Sequence, residues 1–157
     1  MKRRTASRAH PVRRRPTAGK GASKFQVRHS CPPDLFDPKA YSHAVEVQGG
    51  RLIFVSGQVP VNAQRQLSSK DLREQVGKVY DNLETVLKSV GASFENVIKT
   101  NNYLTNIAQT GVFREVRDQR FAHVKTRPAS TTVVVTALVD PEYLLEIEVI
   151  AAVPAKN

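Results

Sequence analysis

Cysteine is nearly absent from this chain: Cys31 is the only one among 157 residues, and there is no tryptophan and a single methionine. One thiol cannot build a disulfide framework or a cysteine-based metal cluster. It lies in the loop-like run His29-Ser30-Cys31-Pro32-Pro33 and is expected to be a surface thiol. The four histidines (His10, His29, His43, His123) form no i, i+4 pair, which argues against zinc. Neither a metal nor an organic cofactor is expected. No stretch approaches eighteen consecutive apolar residues, so no membrane span is expected and the chain is read as cytoplasmic. Residues 1–24 contain no acid at all, and no apolar segment of the kind a secretory signal needs.

Basic residues, by contrast, are abundant, and the formal net charge is +10. Nine of the 24 Lys and Arg residues fall within residues 1–24, leaving fifteen against all 14 acids, a net of +1, in the remainder. The basicity therefore belongs to a tail. Like charges without apolar spacing bury too little surface to offset backbone ordering, so the tail is expected to be disordered. Three roles are open to it: a solvated extension, a grip on nucleic acid or acidic lipid through counterion release, or a cleaved targeting peptide. The near-neutral remainder, residues 25–157, is expected to form one domain, and it shows no basic face with interleaved aromatics for RNA.

The clearest element is a helix over residues 70–90. Leu72, Val76, Val79, Leu83, Val86 and Val90 recur at steps of four and three, which puts them on one face. Ser68 with Asp71 resembles a capping box, and Gly91 is a natural stop. A second helix is expected over 110–124, its apolar face interrupted by Arg117 and Arg120. Strands are expected at 25–28, 42–48, 51–56, 97–104, 131–138 and 144–152. The pair at 42–48 and 51–56 reads as a tight hairpin, because Gly49 and Gly50 can both take positive φ. The order is (β)ββαβαββ, an α/β (α+β) domain with a mixed sheet and two helices on one face. Ile53-Phe54-Val55 and Val133-Val134-Val135 are apolar toward both faces, and two helices cover only one. Another copy of the chain is the simplest cover for the other, so an oligomer is expected.

Three local patterns carry a resemblance. One is Tyr41-Ser42-His43-Ala44-Val45 leading into Ile53-Phe54-Val55-Ser56-Gly57-Gln58-Val59-Pro60. Another is Gly91-Ala92 followed by Val97-Ile98-Lys99-Thr100. The last is Pro128-Ala129, a β run, and Leu145-Glu146-Ile147-Glu148-Val149-Ile150-Ala151. In this order and spacing they resemble the Rid (YjgF) family of reactive intermediate deaminases, over residues 25–154. The resemblance implies a chorismate-mutase-like fold and a homotrimer with a central barrel, whose clefts between subunits bind a small metabolite. It also implies hydrolysis of enamines and imines to ketoacids and ammonia in many members, and links to RNA cleavage in others.

Position by position, Tyr41 matches a tyrosine lining the cleft, and Ser56-Gly57 a segment whose backbone approaches the ligand. Glu146 matches a glutamate that positions the attacking water. Thr132 falls where deaminase members often carry cysteine. Ser130 is the departure: deaminase members place there an arginine that clamps the substrate carboxylate, and serine supplies neither charge nor fork. Arg117, Arg120 or Arg127 could supply that contact instead. The leading expectation is a RidA-like imine or enamine deaminase without cofactor. The alternatives are a non-catalytic ligand-binding module, favoured by Ser130, and an RNA-acting protein using its tail.

Overall fold

The computed structural model describes residues 24–155. The tail assigned to residues 1–24 thus lies outside the described residues, Lys24 excepted. Eight elements follow in the order expected from the sequence: β1 (Gln26–Ser30), β2 (Ala44–Gln48), β3 (Arg51–Gln58), α1 (Leu72–Ser89), β4 (Val97–Leu104), α2 (Thr110–Arg120), β5 (Ala129–Val134) and β6 (Leu145–Val153). Four strands form one mixed sheet in the order β3-β6-β4-β5. β6 is antiparallel to β3 and β4, and β5 runs parallel to β4. Among the described residues no helix is long and apolar enough to cross a membrane.

The expected hairpin is corrected. β2 pairs with β1, Gln48 opposite Gln26, in a separate two-stranded sheet, while β3 pairs with β6. Gly49 and Gly50 do take positive φ, 68° and 70°. The link re-aims the chain from one sheet to the other, and a side chain at Gly50 would strike the Val153 carbonyl and the Phe25 ring. Positive φ fits a hairpin turn, but it does not choose the partner strand.

α1 owes its position to its apolar stripe. Val76, Val79 and Leu83 are buried, while Leu72, Val86 and Val90 pack partly buried against the same core. The helix begins two residues later than expected. Asp71, not Ser68, is the cap, its carboxylate accepting from the Glu74 amide at 3.0 Å. It ends as expected at Gly91, φ 74°, with the Gly91 amide donating to the Lys88 carbonyl and the Ala92 amide to the Leu87 carbonyl. α2 is shorter than expected, yet Phe113, Val116, Phe121 and Val124 all reach the core. β5 is also shorter, Ala129–Val134 rather than 131–138.

Both helices lie on one face of the sheet, where Val55, Leu104, Leu145, Ile147 and Val149 complete the core. The opposite face is open: Phe54 is 73% exposed, Leu52 50% and Val133 42%. The apolar run in β3 therefore splits as the alternation of a strand requires, Val55 toward the helices and Phe54 away from them.

Candidate functional site

Fully buried Gln75 fixes the start of β6. Its amide nitrogen donates to the carbonyls of Ser69 and Glu142 at 2.8 and 2.9 Å, and its oxygen accepts from the Leu144 amide at 2.9 Å. Two residues on, Glu146 is aimed onto the open face. Its carboxylate lies directly against Gly57, where a β-carbon would overlap Oε1. Only glycine leaves that space. Among the described residues Glu146 has no hydrogen-bond or ion-pair partner, whereas Glu148 on the same face accepts from Asn101 at 2.7 Å and from the Tyr103 hydroxyl at 3.2 Å. Desolvation, Glu148 and Glu146 together push the Tyr103 phenol above its ordinary range. Burial holds the Lys99 ammonium, on the same face, below the usual lysine range.

Tyr41 stands elsewhere. Its neighbour Ser42 is tied to the entry of β5: the Ser42 amide donates to the Pro128 carbonyl at 3.0 Å and its hydroxyl to the Arg127 carbonyl at 2.6 Å. That tether brings Tyr41 beside Ser130 and Thr132, at the edge of a cleft of about 460 Å³ also lined by Phe36, Lys39, Arg114 and Arg117. This is within the size range of small-molecule sites. Phe36, Tyr41 and His43 pack edge-to-face, with ring centroids 5.3–6.2 Å apart. His43, expected within a strand, lies just before β2 and belongs to this aromatic group.

Ser130 and Thr132 sit opposite Thr100 and Asn102 in the ladder, and Asn102 is opposite Ile147 in β6. Residues directly opposite share a face. Ser130 and Thr132 therefore belong to the helix-covered face, and Glu146, opposite Tyr103, to the open one. The sequence-derived site residues thus form two groups: Glu146 with Ser56 and Gly57, and Tyr41 with Arg117, Ser130 and Thr132. One chain does not bring the two together.

Of the arginines considered as substitutes for an arginine at 130, only Arg117 lines this cleft. Arg120 is committed between the helices, to Asp81 at 2.7 Å and to the Gly77 carbonyl at 3.3 Å. Arg127 donates to the Phe121 carbonyl and lies over the Phe121 ring. Arg114 was missed from sequence. It sits one turn before Arg117, a spacing that places both on one side of α2.

Comparison with known proteins agrees with this architecture. The sequence profile of the family described as Endoribonuclease L-PSP matches residues 36–153. The chain belongs to this family, the Rid (YjgF) family. A RutC family protein of Aquifex aeolicus is 34% identical over 112 residues, 71% of this chain and 86% of the relative. Protein HMF1 of Saccharomyces cerevisiae is 35% identical over 116 residues, 72% and 84% of the two chains. Among solved structures, the Rid protein YyfB of Yersinia pestis, described as of unknown function, superposes with a TM-score of 0.75 at 31% identity. That match covers 81% of this chain and 98% of the other.

Proposed function

We propose that this Rid protein binds a small carbonyl- or imine-bearing metabolite between subunits and hydrolyses enamines or imines to ketoacids and ammonia. The observation that carries this reading is Glu146, a carboxylate held over Gly57 with no partner among the described residues and free to accept from a water. A general base within reach of the attacking water contributes about 10²–10⁴-fold. Water adds to the C=N carbon as Glu146 takes its proton. That proton passes to nitrogen to give a carbinolamine; the carbinolamine's hydroxyl proton follows it, the C–N bond breaks, and ammonia leaves as the carbonyl forms.

The separation of the two residue groups supports assembly. A site using both Glu146 and the Tyr41 cleft needs two chains, and exposed Leu52, Phe54 and Val133 give a second copy an apolar surface to cover. A homotrimer with intersubunit clefts meets both requirements.

The test is imine hydrolysis. An amino-acid oxidase generates the imine, semicarbazide competes for it, and Glu146→Ala serves as control. The expected result is faster ketoacid formation that the variant loses. No acceleration across chemically varied amino acids would overturn the catalytic reading. It would favour a non-catalytic ligand carrier, to which Ser130 already points.

A further inference from the structure

The floor of the Tyr41 cleft is a polar network gathered around one buried amide. Asn102, 1% exposed, donates one amide hydrogen to the Thr131 carbonyl at 2.8 Å, leaving the other to the hydroxyl oxygens of Ser130 and Thr132, each 3.2 Å from the nitrogen. The Thr100 hydroxyl donates to Ser130 Oγ at 3.0 Å. A hydroxyl has one hydrogen and two lone pairs. Each hydroxyl can therefore rotate to turn its hydrogen toward a ligand in the cleft.

The helix wall is cationic. Arg114 is exposed and makes no ion pair among the described residues. The Arg117 side chain is 13% exposed, held by Asp118 at 3.0 Å and by the Phe113 ring at 5.7 Å from its centroid, with guanidinium donors to spare. Lys39 and Asp37 at the rim pair with each other, so the cleft's charges (Lys39, Arg114 and Arg117 against Asp37 and Asp118) leave it net positive. The remaining wall is aromatic, Phe36 being 68% exposed beside Tyr41. Hydroxyl donors below, guanidinium donors on one side and flat apolar rings on the other describe one ligand type.

We infer that Arg114 and Arg117, with the Ser130 and Thr132 hydroxyls, form an anion anchor carried by α2 rather than by β5. The pocket takes small carboxylates bearing a flat apolar group, which lies against Phe36 and Tyr41. This rests on the reading that the Tyr41 cleft receives the substrate, but its test reads binding alone and requires no turnover.

Calorimetric titration of the full-length protein would compare phenylpyruvate with pyruvate, which lacks the ring, and with phenylacetone, which lacks the carboxylate. Phenylpyruvate should bind more tightly than either. Loss of a charge-assisted contact weakens binding about ten- to a hundred-fold. Arg114→Met and Arg117→Gln should each do so for phenylpyruvate and leave phenylacetone unchanged. Arg114 is on the surface, so its variant reports even if Arg117→Gln disturbs α2. Phe36→Ala should weaken phenylpyruvate and leave pyruvate unaffected. Equal affinity for phenylacetone, unchanged phenylpyruvate binding in both arginine variants, or no carboxylate binding by the unaltered protein would each overturn the anchor. Binding that needs the arginines without hydrolysis of any imine would leave the anchor standing and remove the catalytic reading. Hydrolysis without dependence on Arg114 or Arg117 would do the reverse.

Discussion

The two faces of the four-stranded sheet are built on different terms. On the helix-covered face Gln75 satisfies three backbone groups and Asn102 holds the Thr131 carbonyl, while Asn102 Oδ1 and the Tyr80 hydroxyl have no partner among the described residues. On the open face Glu146 has no partner among the described residues, and Phe54 and Leu52 face outward. Each buried polar group that a sealed face does satisfy avoids a cost of about 1–3 kcal/mol. A face left open can hold a reactive carboxylate and an apolar patch, since water or a second copy completes them. The covered face carries the chain's stability, and the open face carries what depends on other molecules.

Leu83→Ala should break this contrast most strongly. Its side chain is wholly buried in the core, and truncation should cost about 2–5 kcal/mol in chemical denaturation. Gln75→Leu comes next, at about 1–3 kcal/mol, because two carbonyls and one amide lose their partner in the interior. Phe54→Ser should leave the stability of the single chain within about 0.5 kcal/mol, as exposed positions do. It should still shift the sedimentation coefficient toward smaller species. An unchanged sedimentation coefficient in the folded variant would show that the open face is not an interface.

The smallest effect is expected at Tyr80. Its phenol is buried without a partner between Phe94 and Phe121, and burial pushes its ionisation well above the ordinary range. Tyr80→Phe removes an unsatisfied hydroxyl and should move the denaturation midpoint by less than the equivalent of about 1 kcal/mol, toward greater stability.

What the sequence disclosed follows the same division. α1 was legible because its apolar residues repeat at helical spacing and Gly91 stops it. The order of elements was legible for the same local reasons, and the open face followed from runs too apolar for one layer of helices. Strand pairing was not, because Gly49-Gly50 permits a turn and says nothing of β1 or β6. The cleft was half visible. Tyr41, Ser130 and Glu146 stood out through family resemblance, yet their distribution over two faces depends on register. Arg114 lies on the polar side of an amphipathic helix, where an arginine looks like solvation, and Asn102 sits within a strand whose burial only packing reveals.

Gly57 carries a consequence for how this protein tolerates variation. The atoms that a side chain there would strike belong to the movable end of Glu146, not to backbone. Most replacements at that codon should therefore accumulate normally in cells while displacing the carboxylate. In a library scored for both abundance and turnover, position 57 should accept many residues on the first axis and glycine alone on the second.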